Sequence, residues 1–260
     1  NSGTNVNVYD NTVYLSAGTT STATNWGSAA IYASTTPTVN LNNNIFVNLS
    51  IPKGTGKATA YQRSSTTTST YGFGSNNNDF YCGTPGVNNL IFYDGTNSDQ
   101  TLFAYKSRVA SADLLSGSEN PTFLSLAGAN ANYLHIDPAV ATIIESGGTN
   151  INSLTDDFDG QTRQGNPGYI GSGSAPDVGA DEFNGIGVIL AAPINFAANT
   201  ITNNSFNITW TDNSVGEAGF AVFRSLNAGG PWILIGGITS TTSGTTGTGY
   251  SLAQTGLLGG

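Results

Sequence analysis

A short motif recurs along the first hundred residues and constrains the fold more than any other feature of the chain. An Asn or Asp pair is followed by β-branched or aromatic residues, as DNTVY at 10–14, NNIFV at 43–47, NNDFY at 77–81 and NNLIF at 88–92. The first three copies are separated by roughly 32 to 34 residues. Self-similarity with a period of about 20 to 50 residues indicates a solenoid or a propeller.

The residue types favour the solenoid, specifically a parallel β-helix. Each coil would contribute short strands that pair with the coils above and below, and inward-facing apolar residues would form a continuous core. Asn at the bends tolerates left-handed backbone geometry and can hydrogen-bond between coils. Further strand-like runs are predicted at 29–33, 39–41 and 58–61.

One segment carries a different period. In the window 100–109, Leu102, Tyr105, Lys106 and Val109 lie at helical spacing, which predicts a single short helix.

The composition limits the classes of protein that remain. Charged residues are only 9 % of the chain, against about 25 % in most soluble domains. The net charge is −9 and the basic residues are scattered, which argues against nucleic-acid binding. The longest apolar run, at 185–192, is far shorter than a membrane span. The only cysteine, Cys82, rules out an internal disulfide, and this fits a bacterial surface protein better than a eukaryotic secreted domain.

The segment 119–183 carries the most specific signal. It contains DFDGQTR at 157–163 and PDVGADEF at 176–183. This ending resembles the terminal coils of secreted right-handed parallel β-helix surface proteins of Bacteroidetes-type bacteria, in the pectate-lyase-like superfamily. The resemblance covers residues 1–184 and implies an extracellular location on the bacterial cell surface.

Residues 185–192 are predicted to be a linker, and residues 193–260 a second module. In SFNITWTD at 205–212, alternation places Phe206, Ile208 and Trp210 on one face of a strand. Together with GFAVFRS at 219–225, this run resembles a fibronectin type III domain, a small β-sandwich.

The second module departs from its family pattern near its end. AGGPW at 228–232 is predicted to be a turn, and TGLLGG at 255–260 matches the turn before the sixth strand, so the last two strands are not found. Three explanations stay open: the remainder lies outside this chain, another protomer donates the missing strands, or the sandwich is small and complete.

Catalysis is not predicted, and no catalytic or cofactor-binding residue is assigned. His135 is the only histidine, so a two-histidine metal site is excluded, and Cys82 follows aromatic residues in a strand. The first 118 residues hold few acids for a carboxylate pair, and none cluster with aromatic and basic residues.

The remaining candidate is a group of acids near the end of the first module. Six carboxylates fall within 156–182. They are interpreted as turn caps that pair with Arg163 and close the end of the solenoid. The alternative is a calcium (Ca2+) site with Asp156, Asp157 and Asp159 as ligands, although the later bidentate Glu of an EF-hand is missing.

The sequence therefore predicts an all-β extracellular structural or adhesive module of a larger bacterial surface protein, which assembles into filaments. Its partners would be other copies or the remaining parts of the same protein. The alternative is a carbohydrate-binding or polysaccharide-degrading β-helix whose active coils lie upstream, with glycans as partners. Trp26, Tyr61, Tyr71 and Phe73 are candidates for stacking on sugar rings, although core positions are the simpler interpretation.

Overall fold

The fold was obtained as a computed structural model, which describes residues 4–18, 24–109, 111–188, 190–214, 217, 219–227, 233–240 and 245–256. The described residues are predominantly β-strand and hold one short α-helix, so the protein is all-β. The chain divides into two compact units, Asn1–Gly187 and Val188–Gly260.

The first unit contains eleven strands among its described residues, most of them short. They are β1 (Asn5–Tyr9), β2 (Thr12–Leu15), β3 (Ser28–Ala33), β4 (Thr38–Asn42), β5 (Ile45–Asn48), β6 (Ala58–Arg63), β7 (Asp79–Tyr81), β8 (Asn89–Tyr93), β9 (Ser98–Asp99), β10 (Ala141–Thr142) and β11 (Ile186–Gly187). Helix α1 spans Leu102–Arg108, and a single 3-10 turn spans Thr68–Thr70.

Among the described residues, strands β1 to β8 form three parallel stacks, and β9 pairs antiparallel with β8. β1 pairs with β4, β2 with β5 and then β7, and β3 with β6 and then β8. The first three copies of the sequence motif lie one above another in the stack β2-β5-β7, as the repeat predicts. The fourth copy lies in β8, which belongs to another stack.

Asn and Asp residues shape the bend before each strand of this middle stack. Asp10, Asn43 and Asn77 adopt left-handed backbone angles, with φ of 52°, 55° and 55°. The next residue in each copy carries a side-chain ladder: Asn11 Nδ2 donates to Asn44 Oδ1 at 3.0 Å, and Asn44 Nδ2 donates to Asn78 Oδ1 at 2.9 Å. Both roles predicted for Asn at the bends are therefore confirmed.

The interior between the stacks is rich in aromatic rings. Tyr61 contacts Tyr71, Phe80, Phe92 and Tyr105 at ring-centroid distances of 5.5 to 6.3 Å. Tyr61 and Tyr71 are thus core residues rather than sugar-stacking surfaces. Two other candidates lie further out, since Trp26 is half-buried and the side chain of Phe73 is 71 % exposed.

Helix α1 closes part of this interior. Thr101 caps its first turn, because its hydroxyl oxygen accepts a hydrogen bond from the backbone N–H of Ala104 at 3.3 Å. Tyr105 is the helix residue that is buried. The predicted helix is confirmed, although it is shorter than the predicted window 100–109.

The later part of the first unit packs on the outer face of the middle stack. Ile45 and Val47 of β5 form a second core with Ile136, Ile144 and Val178. We call residues 119–183 the cover segment. Because this face is buried, the segment is fixed by apolar contacts although it contains little regular structure.

In its described residues, the second unit is built from two small antiparallel sheets. Its strands are β12 (Ile194–Asn199), β13 (Phe206–Thr211), β14 (Gly219–Arg224), β15 (Ile233–Thr239) and β16 (Gly249–Gln254). The sheet β12-β13-β16 faces the sheet β14-β15, and Ile208, Trp210, Val222 and Tyr250 form the core.

The predicted inward face of β13 is confirmed, since Phe206 packs against the buried Ile208 and Trp210. The predicted turn at 228–232 and the last residues of the predicted turn at 255–260 lie outside the described residues. β11 lies within the segment predicted as a linker, and it pairs with β10 of the first unit.

Candidate functional site

Three side chains from distant parts of the cover segment meet near its surface. His135 Nε2 lies 3.1 Å from Asp159 Oδ2, and His135 Nδ1 lies 3.3 Å from Asp181 Oδ1. Ligand atoms of all three residues lie within 4.8 Å of one another. In the described part of the chain, it is the one group of at least three His, Cys, Asp or Glu side chains that lie close enough together to hold a metal ion. We call it the His–Asp–Asp cluster.

Backbone hydrogen bonds place each member. The N–H of Leu124 donates to the carbonyl of His135 at 2.8 Å, next to a left-handed residue, Leu134. Asp181 Oδ2 accepts from the N–H of Ile136 at 2.9 Å, which ties this carboxylate to the histidine segment. The backbone of His135 and the carboxylate of Asp181 are therefore held by local hydrogen bonds.

Asp159 is positioned by its neighbour Asp157. The N–H groups of Asp159 and Gln161 donate to Asp157 Oδ1 at 2.9 and 2.7 Å, which forms a tight turn at Gly160. The N–H of Glu182 donates to Asp157 Oδ2 at 3.0 Å. Both oxygens of Asp157 thus hold the backbone.

The structure separates the three aspartates that the sequence groups as calcium ligands. Asp159 joins the His–Asp–Asp cluster, Asp157 is the turn cap, and Asp156 is exposed and forms an isolated β-bridge with Thr162. Calcium binding at these three residues stays a prediction.

The other acids of this segment cap turns and pair with Arg163, as interpreted from the sequence; that they close the end of a solenoid stays a prediction. Arg163 Nη1 lies 3.4 Å from Glu182 Oε2, and its Nη2 donates to the carbonyl of Gly179 at 2.8 Å. Asp177 accepts from the N–H groups of Ser146 and Phe183 at 2.6 and 2.8 Å. Burial raises the pKa of the Asp177 carboxyl to about 8.

Charge within the His–Asp–Asp cluster is unbalanced. Burial is the main cause that raises the pKa of Asp181, while the N–H of Ile136 and the nearby His135 lower it. Asp157 and Asp159 raise the pKa further by repulsion. The cluster therefore brings carboxylates together with a single basic group.

Cys82 is placed as predicted, in the interior. Its side chain is buried and its S–H donates to the carbonyl of Ala58 at 3.1 Å. Burial raises the pKa of the thiol to about 11, which leaves it protonated and unreactive at neutral pH.

Sequence reasoning missed the cluster because its members are far apart along the chain. Asp159 and Asp181 both fall within the acidic segment 156–182, whereas no pattern in the sequence places His135 beside it. The one available sign of the cluster in the sequence was that His135 is the only histidine in a chain with 16 acidic residues.

Compared with protein-family models, with curated proteins and with solved structures, the chain matches none of them. The helix in the described part of the chain is too short to cross a membrane.

Proposed function

We propose that this chain is an extracellular structural or adhesive module of a larger bacterial surface protein, and that copies of it associate end to end. The first unit would be a right-handed parallel β-helix closed by the cover segment, and the second a partial fibronectin type III-like sandwich. The function proposed is not catalytic, and the partners would be other copies or the remaining parts of the same protein.

The polar residues of the first unit support a load-bearing role. In the ladder, buried Asn78 Nδ2 donates to Asp113 Oδ1 at 2.8 Å, and Tyr105 donates to Asp113 Oδ2 at 2.6 Å. Hydrogen bonds between buried amides in successive layers resist sliding of one layer against the next. A body built this way is stiff along the stacking direction.

The observation that carries the proposal is the free edge of the first layer of strands. This layer consists of β1, β2 and β3, one from each stack. Among the described residues, β1, β2 and β3 each pair with one neighbour, so three parallel edges face the same way. The apolar residues behind these edges, such as Val6 and Val13, are only partly buried, whereas their partners Val39 and Phe46 in the next layer are buried. Free edges above an incompletely covered core favour the addition of another layer of strands, from a further copy or from the remaining parts of the same protein.

The direction of the backbone groups in β1 can be derived from its ends. The N–H of Thr38 donates to the carbonyl of Thr4, and the N–H of Asp10 donates to the carbonyl of Asn42. In a parallel pair, alternate residues bond to the same neighbour. Asn5, Asn7 and Tyr9 therefore point their N–H and C=O groups to the free edge.

A proline at Asn7 tests this proposal without disturbing the pairing of β1 with β4. Asn7→Pro removes an edge donor, and proline is tolerated on edge strands. Asn7→Ala is the matched control, because it also loses the exposed side-chain bond from Asn40 but keeps the N–H. We expect the parent and Asn7→Ala to form end-to-end oligomers in negative-stain electron microscopy and light scattering, and Asn7→Pro to be mainly monomeric.

The proposal is wrong if the parent chain stays monomeric at all concentrations tested, or if Asn7→Pro assembles as well as Asn7→Ala. Surface labelling of intact cells with an antibody against the chain would test the extracellular location separately.

A specific observation favours glycan binding as a second candidate function. The strand register places Tyr32, Gln62 and Tyr93 in one row across β3, β6 and β8. Tyr32 is 58 % exposed, and the ammonium group of Lys57 lies 5.1 Å from the centre of the Tyr93 ring. Because strands are about 4.8 Å apart, the two tyrosines lie roughly 10 Å apart on a rigid surface suited to stacking on sugar rings.

Glycan-array binding would test this candidate, with Tyr32→Ala and Tyr93→Ala as variants and Phe73→Ala as an exposed aromatic control. Binding that is lost in both tyrosine variants and kept in the control would support it. Release of reducing sugar by the parent chain would contradict a purely binding role.

A further inference from the structure

The His–Asp–Asp cluster has the ligand types and spacing of a metal site. It combines one imidazole nitrogen with carboxylate oxygens, a set that suits zinc and related transition metals better than calcium. Zinc holds such ligands at about 2.0 to 2.2 Å, which puts neighbouring ligand atoms roughly 3.3 Å apart in a tetrahedron. The distance between His135 Nε2 and Asp159 Oδ2 is 3.1 Å.

The two ring nitrogens of His135 have different roles in this geometry, because one imidazole offers a single nitrogen to one ion. Nε2 lies beside Asp159, and Nδ1 lies beside Asp181. A carboxylate on the far nitrogen of a metal-bound histidine fixes the ring and increases its basicity. Asp181 is well placed for this, since its other oxygen is held by the N–H of Ile136.

Charge and exposure also favour a cation. Two carboxylates, those of Asp159 and Asp181, contact the single imidazole of His135. The side chains of His135 and Asp159 are 20 % and 36 % exposed, whereas Asp181 is 9 % exposed. Water can therefore fill the remaining coordination positions from the solvent side.

We propose that His135 Nε2 and Asp159 Oδ2 bind one divalent transition metal ion, with zinc as the preferred ion, and that Asp181 is the positioning residue for the imidazole. The ion joins two separate parts of the cover segment, and so stabilises the layer that buries the outer face of β5. This inference does not depend on end-to-end association and can fail or succeed independently of it.

Isothermal titration of the full chain, prepared without a polyhistidine tag, with zinc chloride is the first test. We expect one zinc per chain, with binding lost in His135→Gln and in Asp159→Asn. Asp181→Asn keeps an oxygen for the N–H of Ile136, and we expect about 10- to 100-fold weaker binding. Asp156→Asn is the matched control, an exposed acid of the same segment, and should bind as the parent does.

Two further measurements separate metal binding from folding. Cobalt(II) bound to the parent should give visible absorption bands that disappear in His135→Gln. Zinc should raise the melting temperature of the parent and of Asp156→Asn, but not that of His135→Gln, and the metal-free melting temperatures show whether each variant folds.

The proposal is overturned if zinc produces no heat of binding, or if His135→Gln binds it as the parent does. In that case, the His135 ring only links the carboxylates of Asp159 and Asp181. Calcium binding that is lost in Asp156→Asn and kept in His135→Gln would also overturn it, and would assign the metal to Asp156, Asp157 and Asp159 instead.

Discussion

Asn44 and Asn78, which are 34 residues apart, form a buried side-chain hydrogen bond of 2.9 Å between successive layers of the first unit. Asn44 Nδ2 also donates to the carbonyls of Val8 and Asn42, and its Oδ1 accepts from Asn11. This single amide therefore connects three layers of the stack. Its neighbours depend on it for their own hydrogen bonds.

Asn44→Ala should lower the free energy of unfolding of the first unit by about 3 kcal/mol, because it leaves several buried polar groups without partners. Hydrogen exchange of the β5 peptide in increasing urea measures this loss. Asn7→Ala, which removes an exposed amide, should change the stability by less than about 0.5 kcal/mol. Equal losses of stability in both variants would show that the buried ladder contributes no more to the free energy of unfolding than an exposed amide does.

The backbone angle of Asn77 gives a second prediction. Asn77 has φ of 55°, and its side chain donates to the carbonyl of Gly147 at 2.9 Å. Asn77→Gly and Asn77→Ala both lose this bond, but only alanine adds strain at a positive φ. We expect Asn77→Ala to be less stable than Asn77→Gly by about 1 kcal/mol in urea unfolding. The reverse order would contradict the left-handed angle.

Stability should depend on pH through Asp177. The pKa of this carboxyl is raised from 3.8 to about 8, chiefly by burial. The folded state therefore keeps a proton that the unfolded state has released. The contribution is fully present below pH 3.8, declines as the pH rises, and is lost above about pH 8. We expect the melting temperature of the first unit to be higher at pH 6 than at pH 9.

Asp177→Asn should reduce this pH dependence. The amide has one acceptor oxygen for the two N–H groups that Asp177 holds, so this variant should be less stable at pH 6 while its stability falls less towards pH 9. Asp156→Asn, at an exposed acid, should keep the parent profile. An unchanged slope in Asp177→Asn would assign the pH dependence to other buried acids.

Cys82 gives a prediction that needs no variant. Burial and a thiol pKa of about 11 should protect it from iodoacetamide at pH 8 in the folded chain. In concentrated urea, the thiol should react fully, as intact mass spectrometry would show. Rapid modification of the folded chain would mean that the β6-β8 region opens easily.

The sequence predicted those features that depend on neighbours along the chain. Alternation in β13 placed Trp210 correctly, and the Asn motif placed the layers of β2, β5 and β7. The sequence distinguished the cover segment from the repeats before it, but its packing on Ile45 and Val47 could not be predicted. A segment with little regular structure has no periodic residue pattern from which its buried face could be predicted. Strand β16 was not predicted for a related reason, since its partner β13 lies far away in the sequence.

The candidate site was predicted only in part. Asp159 was identified from an acidic pattern, but its contact with His135 arises from loops whose paths are set by individual hydrogen bonds. Such contacts become visible only when the backbone of Leu134 and the turn capped by Asp157 are known.

The layer spacing of 33 and 34 residues has a consequence for how such a chain can change in length. Removing a whole layer would join equivalent bends and leave each Asn opposite another Asn. Removing a single residue within a strand would shift the remaining side chains of that strand to the opposite face. Relatives of this protein should therefore differ in length by whole turns of about 33 residues within residues 1–93, and small insertions should be confined to the bends.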